Sequence, residues 1–120
     1  VYALMDRLRA EHPGVEIESC SSGGGRADYA VLGRTERVWT SDCNDPVDRQ
    51  AIQRGFSLVF PPEIMGAHVG PRRAHTTGRE TSLEFRALTA LFGHMGAEGD
   101  LRAFSDAEQE ALARWIALHK

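Results

Sequence analysis

The chain has 120 residues, of which 26% are charged, with a formal net charge of −3 and two cysteines. That length allows one domain at most, or a piece of one, burying roughly 65% of its unfolded surface. The acidic balance and the absence of any Lys/Arg stripe argue against a nucleic-acid surface; the apolar runs are too short for a membrane span, and two cysteines are too few for a disulfide scaffold.

Val1–Glu11 reads as a helix with Leu4, Met5 and Leu8 on one face, stopped by His12-Pro13-Gly14. Asp6, Arg7 and Arg9 interrupt any secretory apolar region there, which leaves the cytoplasm as the default compartment. The chain opens on Val, so its natural start is expected further upstream. Val15–Cys20 reads as a strand, Ser21–Gly25 as a glycine-rich turn and Tyr29–Leu32 as one helical turn. Arg37–Ser41 reads as a second strand, rich in β-favouring side chains. Asp45-Pro46 has the form of a helix start, with Asp as N-cap and Pro first. Val47, Ala51 and Ile52 are expected on that helix's apolar face, and Gly55 at its end.

Phe56–Phe60 is strand-like up to Pro61-Pro62, and Met65–Val69 is a third candidate strand. Pro71–Gly78 follows as a polar loop, then Arg79–Phe92 as a helix with Leu83, Ala87, Leu88 and Leu91 inward. Met95–Leu101 reads as a short extended segment. Ser105–His119 is the last helix, with a Ser105/Glu108 capping box and a stripe of Leu112, Trp115 and Ile116. Short strands alternating with helices imply βα units around a parallel sheet. A (β/α)8 barrel needs about 200 residues or more, so there is room here for about half of one.

In such folds the chemistry sits at the C-terminal ends of the strands. Those ends are polar here: Glu18-Ser19-Cys20-Ser21-Ser22 before three glycines, Trp39-Thr40-Ser41-Asp42 before Asn44 and Asp45, and His68 on the third strand. Asp45 reads as a loop cap; Asp42, three residues after a strand Trp, reads as functional. Ser-Ser-Gly-Gly-Gly-Arg is neither a P-loop nor a dinucleotide fingerprint, and glycines admit backbone N–H groups to a sugar hydroxyl equally well. Cys20, Cys43, His68 and His75 lack metal-ligand spacing, so no metal is expected. Cys20 as a nucleophile would need a His base.

The run Glu18–Arg26 followed by Trp39–Asp45 resembles glycoside hydrolase family 36, the α-galactosidases, as do Pro61–Val69, His75–Arg79 and Ser82–Arg86. The resemblance covers essentially the whole chain in order. It implies an α/β fold, a partial (β/α)8 TIM barrel with residues 1–120 as the C-terminal half, strands five to eight. It implies a retaining mechanism with two carboxyl groups, the acid/base mapping onto Asp42. An acid near neutral pH must keep its proton. The ionised nucleophile would supply a like charge for that, and Trp39 low-dielectric cover. The family's galactose pocket maps Cys20 and Gly23 onto the sugar. Trp39, Arg26 and His68 lie in matching segments, Arg26 either in the pocket or holding the glycine loop.

The family's nucleophile, an Asp in a Lys-Trp-Asp segment on the fourth strand, has no match in these residues. Glu18 shares a face with Cys20 and would sit below it in the barrel interior, where a structural role is expected. Cys43 and Ala27-Asp28 also depart from the family pattern. The implied substrate is a terminal α-galactoside in an oligosaccharide, with the isolated chain inactive. The rivals are a non-catalytic half-barrel that binds sugar or pairs with a second copy to close its open edges, and an α-N-acetylgalactosaminidase or galactosyl-transfer specificity.

Overall fold

The computed structural model describes residues 1–120. The elements run α1 (Tyr2–Glu11), β1 (Glu18–Ser19), α2 (Tyr29–Leu32), β2 (Arg37–Trp39), α3 (Pro46–Ser57), β3 (Met65–Val69), α4 (Leu83–Ala90), β4 (His94–Ala97) and α5 (Asp106–His119). Single 3-10 turns stand at Pro62–Ile64 and Leu101–Ala103. The four strands form one parallel sheet in the order β1-β2-β3-β4. Each strand therefore lies beside its predecessor, as in a barrel wall; a doubly wound sheet would reverse direction at a switch point. The sheet is open, with β1 and β4 at its edges. The surface of 7287 Å² exceeds the roughly 6,400 Å² of a compact monomer of this mass.

One sheet face is covered by helices. Ala67 and Val69 of β3 meet Ala87 and Ala90 of α4 and Leu112 of α5, with Leu83, Met95, Phe104 and Trp115 around them. Small alanines on both surfaces bring α4 close to β3. The other face carries Glu18, Arg37, Trp39, Gly66 and His68, by alternation along the paired strands; Glu18 is exposed there and Trp39 is buried.

Caps set the helix starts. Asp28, Asp45, Ser82 and Ser105 each accept backbone N–H bonds at an N-terminus, and Ser105 with Glu108 completes the capping box. α1 buries no residue. It is held by ion pairs, Arg9 to Glu36 and Asp6 to Arg34 at 2.8 Å.

Several boundaries differ from the sequence expectations. β1 and β2 are shorter than Val15–Cys20 and Arg37–Ser41 because strand pairing stops at Ser19–Val38 and Trp39–Gly66. α3 runs through Gly55, which faces open space, and ends at Ser57. Phe56–Phe60 is therefore no strand: the Phe56 and Phe60 rings pack at a tilt with centroids 5.0 Å apart, and Tyr29 joins Phe60 at 5.5 Å. α4 begins at Leu83, since Arg79 is drawn away to Asp45 and Asp48. β4 starts one residue before Met95 and ends at Ala97, and Leu101 lies in a 3-10 turn. Val47 and Ala51 of α3 are exposed; the residues that helix buries are Pro46 and Arg49. Leu88 of α4 also faces solvent.

Candidate active site

The polar strand ends meet at one rim of the open face. Trp39, the last residue of β2, donates its indole Nε1–H to Asp42 Oδ1 at 3.1 Å. The His68 ring lies against Trp39, with centroids 4.3 Å apart and planes 31° from parallel. Glycines make the floor for both rings. A Cβ at Gly66 would come within 3.0 Å of Trp39 Cε3, and one at Gly96 within 2.5 Å of His68 Cδ2.

The glycine turn abuts the same segment. Gly23 has φ +64°, and a Cβ there would fall 2.6 Å from the Asp42 nitrogen. Gly24 has φ +87° and crowds the Thr40 carbonyl in the same way. Only glycine allows this double approach, through positive φ and the absence of a side chain. It sets the turn carrying Cys20 and Gly23 beside Asp42. Cys20 is exposed at the head of that turn.

Beneath Trp39 lies a buried cation. Arg49 is 2% exposed and sits 5.2 Å from the indole centroid. It donates to Thr40 Oγ1 at 2.8 Å and to the Gly66 carbonyl at 2.5 Å. No carboxylate pairs with it; burial lowers its pKa, opposed by the nearby Cys43 and Glu98. Asp45 is fully buried and accepts from Thr77, Arg79 and the Val47 amide. Burial pushes its carboxyl up, but these bonds and the Arg79 charge outweigh it and hold the pKa below the usual range. Asp45 thus caps α3 and ties down the loop after β3, as a structural residue does.

The site differs from expectation in one respect. Asp42 is exposed, so Trp39 binds it without covering it. Glu18 pairs with Arg37 at 3.2 Å on the open face, and Glu16 reaches the same guanidinium at 2.6 Å. Arg26 bonds neither Trp39 nor His68. Its carbonyl accepts from Ser19 Oγ at 2.9 Å and its charge acts on Asp28.

Glu98 was missed in the sequence. It follows β4 directly, and its carboxylate accepts from Asn44 Nδ2 at 2.6 Å and meets His68 Nδ1 at 3.1 Å. Burial raises its pKa, but those two bonds and the charges of His68 and His75 win, and the carboxyl titrates below its ordinary value. The signal available was positional, a carboxylate at the C-terminal end of a strand.

A parallel sheet with a carboxylate, an indole, an imidazole and a glycine turn at its C-terminal rim has the arrangement of a barrel-type catalytic rim. The model of the Melibiase family matches residues 1–120. An α-galactosidase of Escherichia coli is 56% identical over 119 residues, 99% of this chain but 17% of the relative's length. The galactosidase domain of the α-galactosidase–sucrose kinase AgaSK, of Mediterraneibacter gnavus, superposes with a TM-score of 0.95 at 38% identity, over 98% of this chain and 16% of that one. A variant of the GH36 α-galactosidase AgaA from Geobacillus stearothermophilus, solved in complex with raffinose, superposes at 0.94 and 38% identity with the same coverage. The chain belongs to the Melibiase family, the GH36 α-galactosidases, and spans about one sixth of the length of these relatives.

Proposed function

We propose that residues 1–120 form the acid/base-bearing half of the catalytic barrel of a retaining α-galactosidase, β1 to β4 being its strands five to eight. Asp42 is the acid/base. It protonates the glycosidic oxygen as the C–O bond breaks, while a nucleophilic carboxylate from outside these residues takes the anomeric carbon. It then removes a proton from the water that releases the sugar. Cys20 and Gly23 contact the galactosyl ring beside Asp42, and Trp39 and His68 form the adjoining wall. Arg26 either lines the pocket or holds the glycine turn, whose end its main-chain carbonyl fixes through the bond from Ser19. The substrate class is terminal α-galactosides of oligosaccharides, in keeping with the raffinose complex of AgaA. No metal or diffusible cofactor takes part.

The observation that carries this reading is the convergence on Asp42: the Trp39 indole bonds its carboxylate and Gly23 packs on its backbone. The test grafts residues 1–120 into the E. coli α-galactosidase in place of its own corresponding segment. Hydrolysis of an aryl α-galactoside by the graft, abolished by Asp42→Asn, supports the reading. Turnover that survives Asp42→Asn defeats it. Residues 1–120 alone are expected to be inactive; turnover by them that Asp42→Asn abolishes would place a nucleophile within the segment or across a dimer. The two open edges of the sheet, β1 and β4, favour a second reading, in which two copies pair without catalysis. Light scattering that finds a monodisperse monomer removes it.

A further inference from the structure

We propose that Glu98 is a positioning residue of the galactoside site, acting through His68: its carboxylate locks the imidazole against Trp39, whose indole N–H reaches Asp42. The proposal rests on Asp42 being the acid/base.

The geometry forms a relay across three strand ends. Glu98 is itself pinned, because its backbone N–H donates to the Val69 carbonyl at 3.0 Å. One oxygen, Oε2, serves both Asn44 Nδ2 and His68 Nδ1. Asn44 is 5% exposed, so this carboxylate is anchored from the buried side. An ionised carboxylate only accepts, so the proton of the contact sits on His68 Nδ1 and leaves Nε2 as the ring's free nitrogen. The imidazole is then confined from three directions: Glu98 at Nδ1, Gly96 beneath, and Trp39 across its face at 4.3 Å. Trp39 in turn holds Asp42 at 3.1 Å. Removing Glu98 frees His68 to rotate and leaves Trp39 without its packed neighbour. A displacement of about 1 Å at a reacting group can cost about 100-fold in rate.

The experiment uses the same E. coli graft, with kcat and KM for an aryl α-galactoside and circular dichroism to confirm folding. Glu98→Ala is expected to lower kcat about 10- to 100-fold with a smaller change in KM. Glu98→Gln keeps an acceptor oxygen in place and should stay within about threefold of the unmutated graft. Glu98→Asp keeps the charge but withdraws the acceptor by a methylene, and should resemble Glu98→Ala. In a His68→Ala background, Glu98→Ala should add less than about twofold, because a residue acting through its partner is non-additive with it. Folded Glu98→Ala within twofold of the unmutated graft, or fully multiplicative losses in the double variant, would overturn the proposal. If Glu98→Ala does not fold, Glu98→Asp decides by the same threshold. A folded graft inactive before mutation, or active after Asp42→Asn, strikes the functional reading itself and takes this proposal with it.

Discussion

Gly96 and His68 face each other across the β3–β4 pairing, and the space a methyl group would fill at residue 96 is occupied by the imidazole, 2.5 Å from its Cδ2 and 2.8 Å from its Nε2. The ring can occupy that space only because residue 96 has no side chain. Gly96→Ala is therefore expected to tilt His68 off Trp39. Aryl α-galactoside turnover in the grafted enzyme should fall at least about tenfold, while the overpacking costs about 1–3 kcal/mol of stability. Unchanged kcat with a folded protein would show that the ring's pose does not matter.

Gly23→Ala combines two penalties. The left-handed backbone costs a non-glycine residue roughly 1–2 kcal/mol, and the new Cβ would lie 2.6 Å from the Asp42 nitrogen. Backbone cannot yield as a side-chain tip does, so the Asp42 segment must move. A lower urea midpoint is expected together with a loss of turnover. Gly55→Ala is the control: that position meets open space inside α3, and stability should rise by about 0.5–1 kcal/mol with activity retained.

Asp45 predicts a direction for acid unfolding. Its folded pKa lies below the ordinary carboxylate value, because the bonds from Thr77 and Arg79 overcome burial. The unfolded chain therefore takes up the proton first as pH falls. The stabilisation is complete above the unfolded value of about 3.9 and is lost as pH drops through the folded value. Asp45→Asn should flatten the pH dependence of the urea midpoint in that window. It should also cost about 1–3 kcal/mol at neutral pH, since Arg79 and Thr77 lose their acceptor.

Arg49 is expected to resist conservative replacement. Its guanidinium spans Thr40 Oγ1 and the Gly66 carbonyl with the Trp39 ring alongside, and a lysine ammonium cannot reproduce that planar fork. Arg49→Lys should destabilise by about 1.5–3 kcal/mol, the scale of losing a charge-assisted hydrogen bond. Differential scanning calorimetry of the graft would show it; an unaltered Tm would mean the fork is dispensable.

Features governed by short-range rules are legible in the amino-acid order. The N-caps at Asp45 and Ser105, the single helical turn at Tyr29–Leu32 and the strand Met65–Val69 follow from local capping and pattern, and the structure has each of them. The likeness to α-galactosidases was legible too, because its motifs are contiguous runs at strand ends. The remaining features depend on distant contacts. Apolar spacing pointed to Val47 and Ala51 as the inner face of α3, yet that helix buries Arg49, because carbonyls and hydroxyls from β2 and β3 solvate a guanidinium there. The apolar run at Phe56–Phe60 pairs with no strand, since its aromatic rings find one another and Tyr29. Glu98 gains meaning only from His68, thirty positions away, and Asn44, fifty-four away. No periodicity encodes a pairing of that span; the parallel register of β3 and β4 creates it.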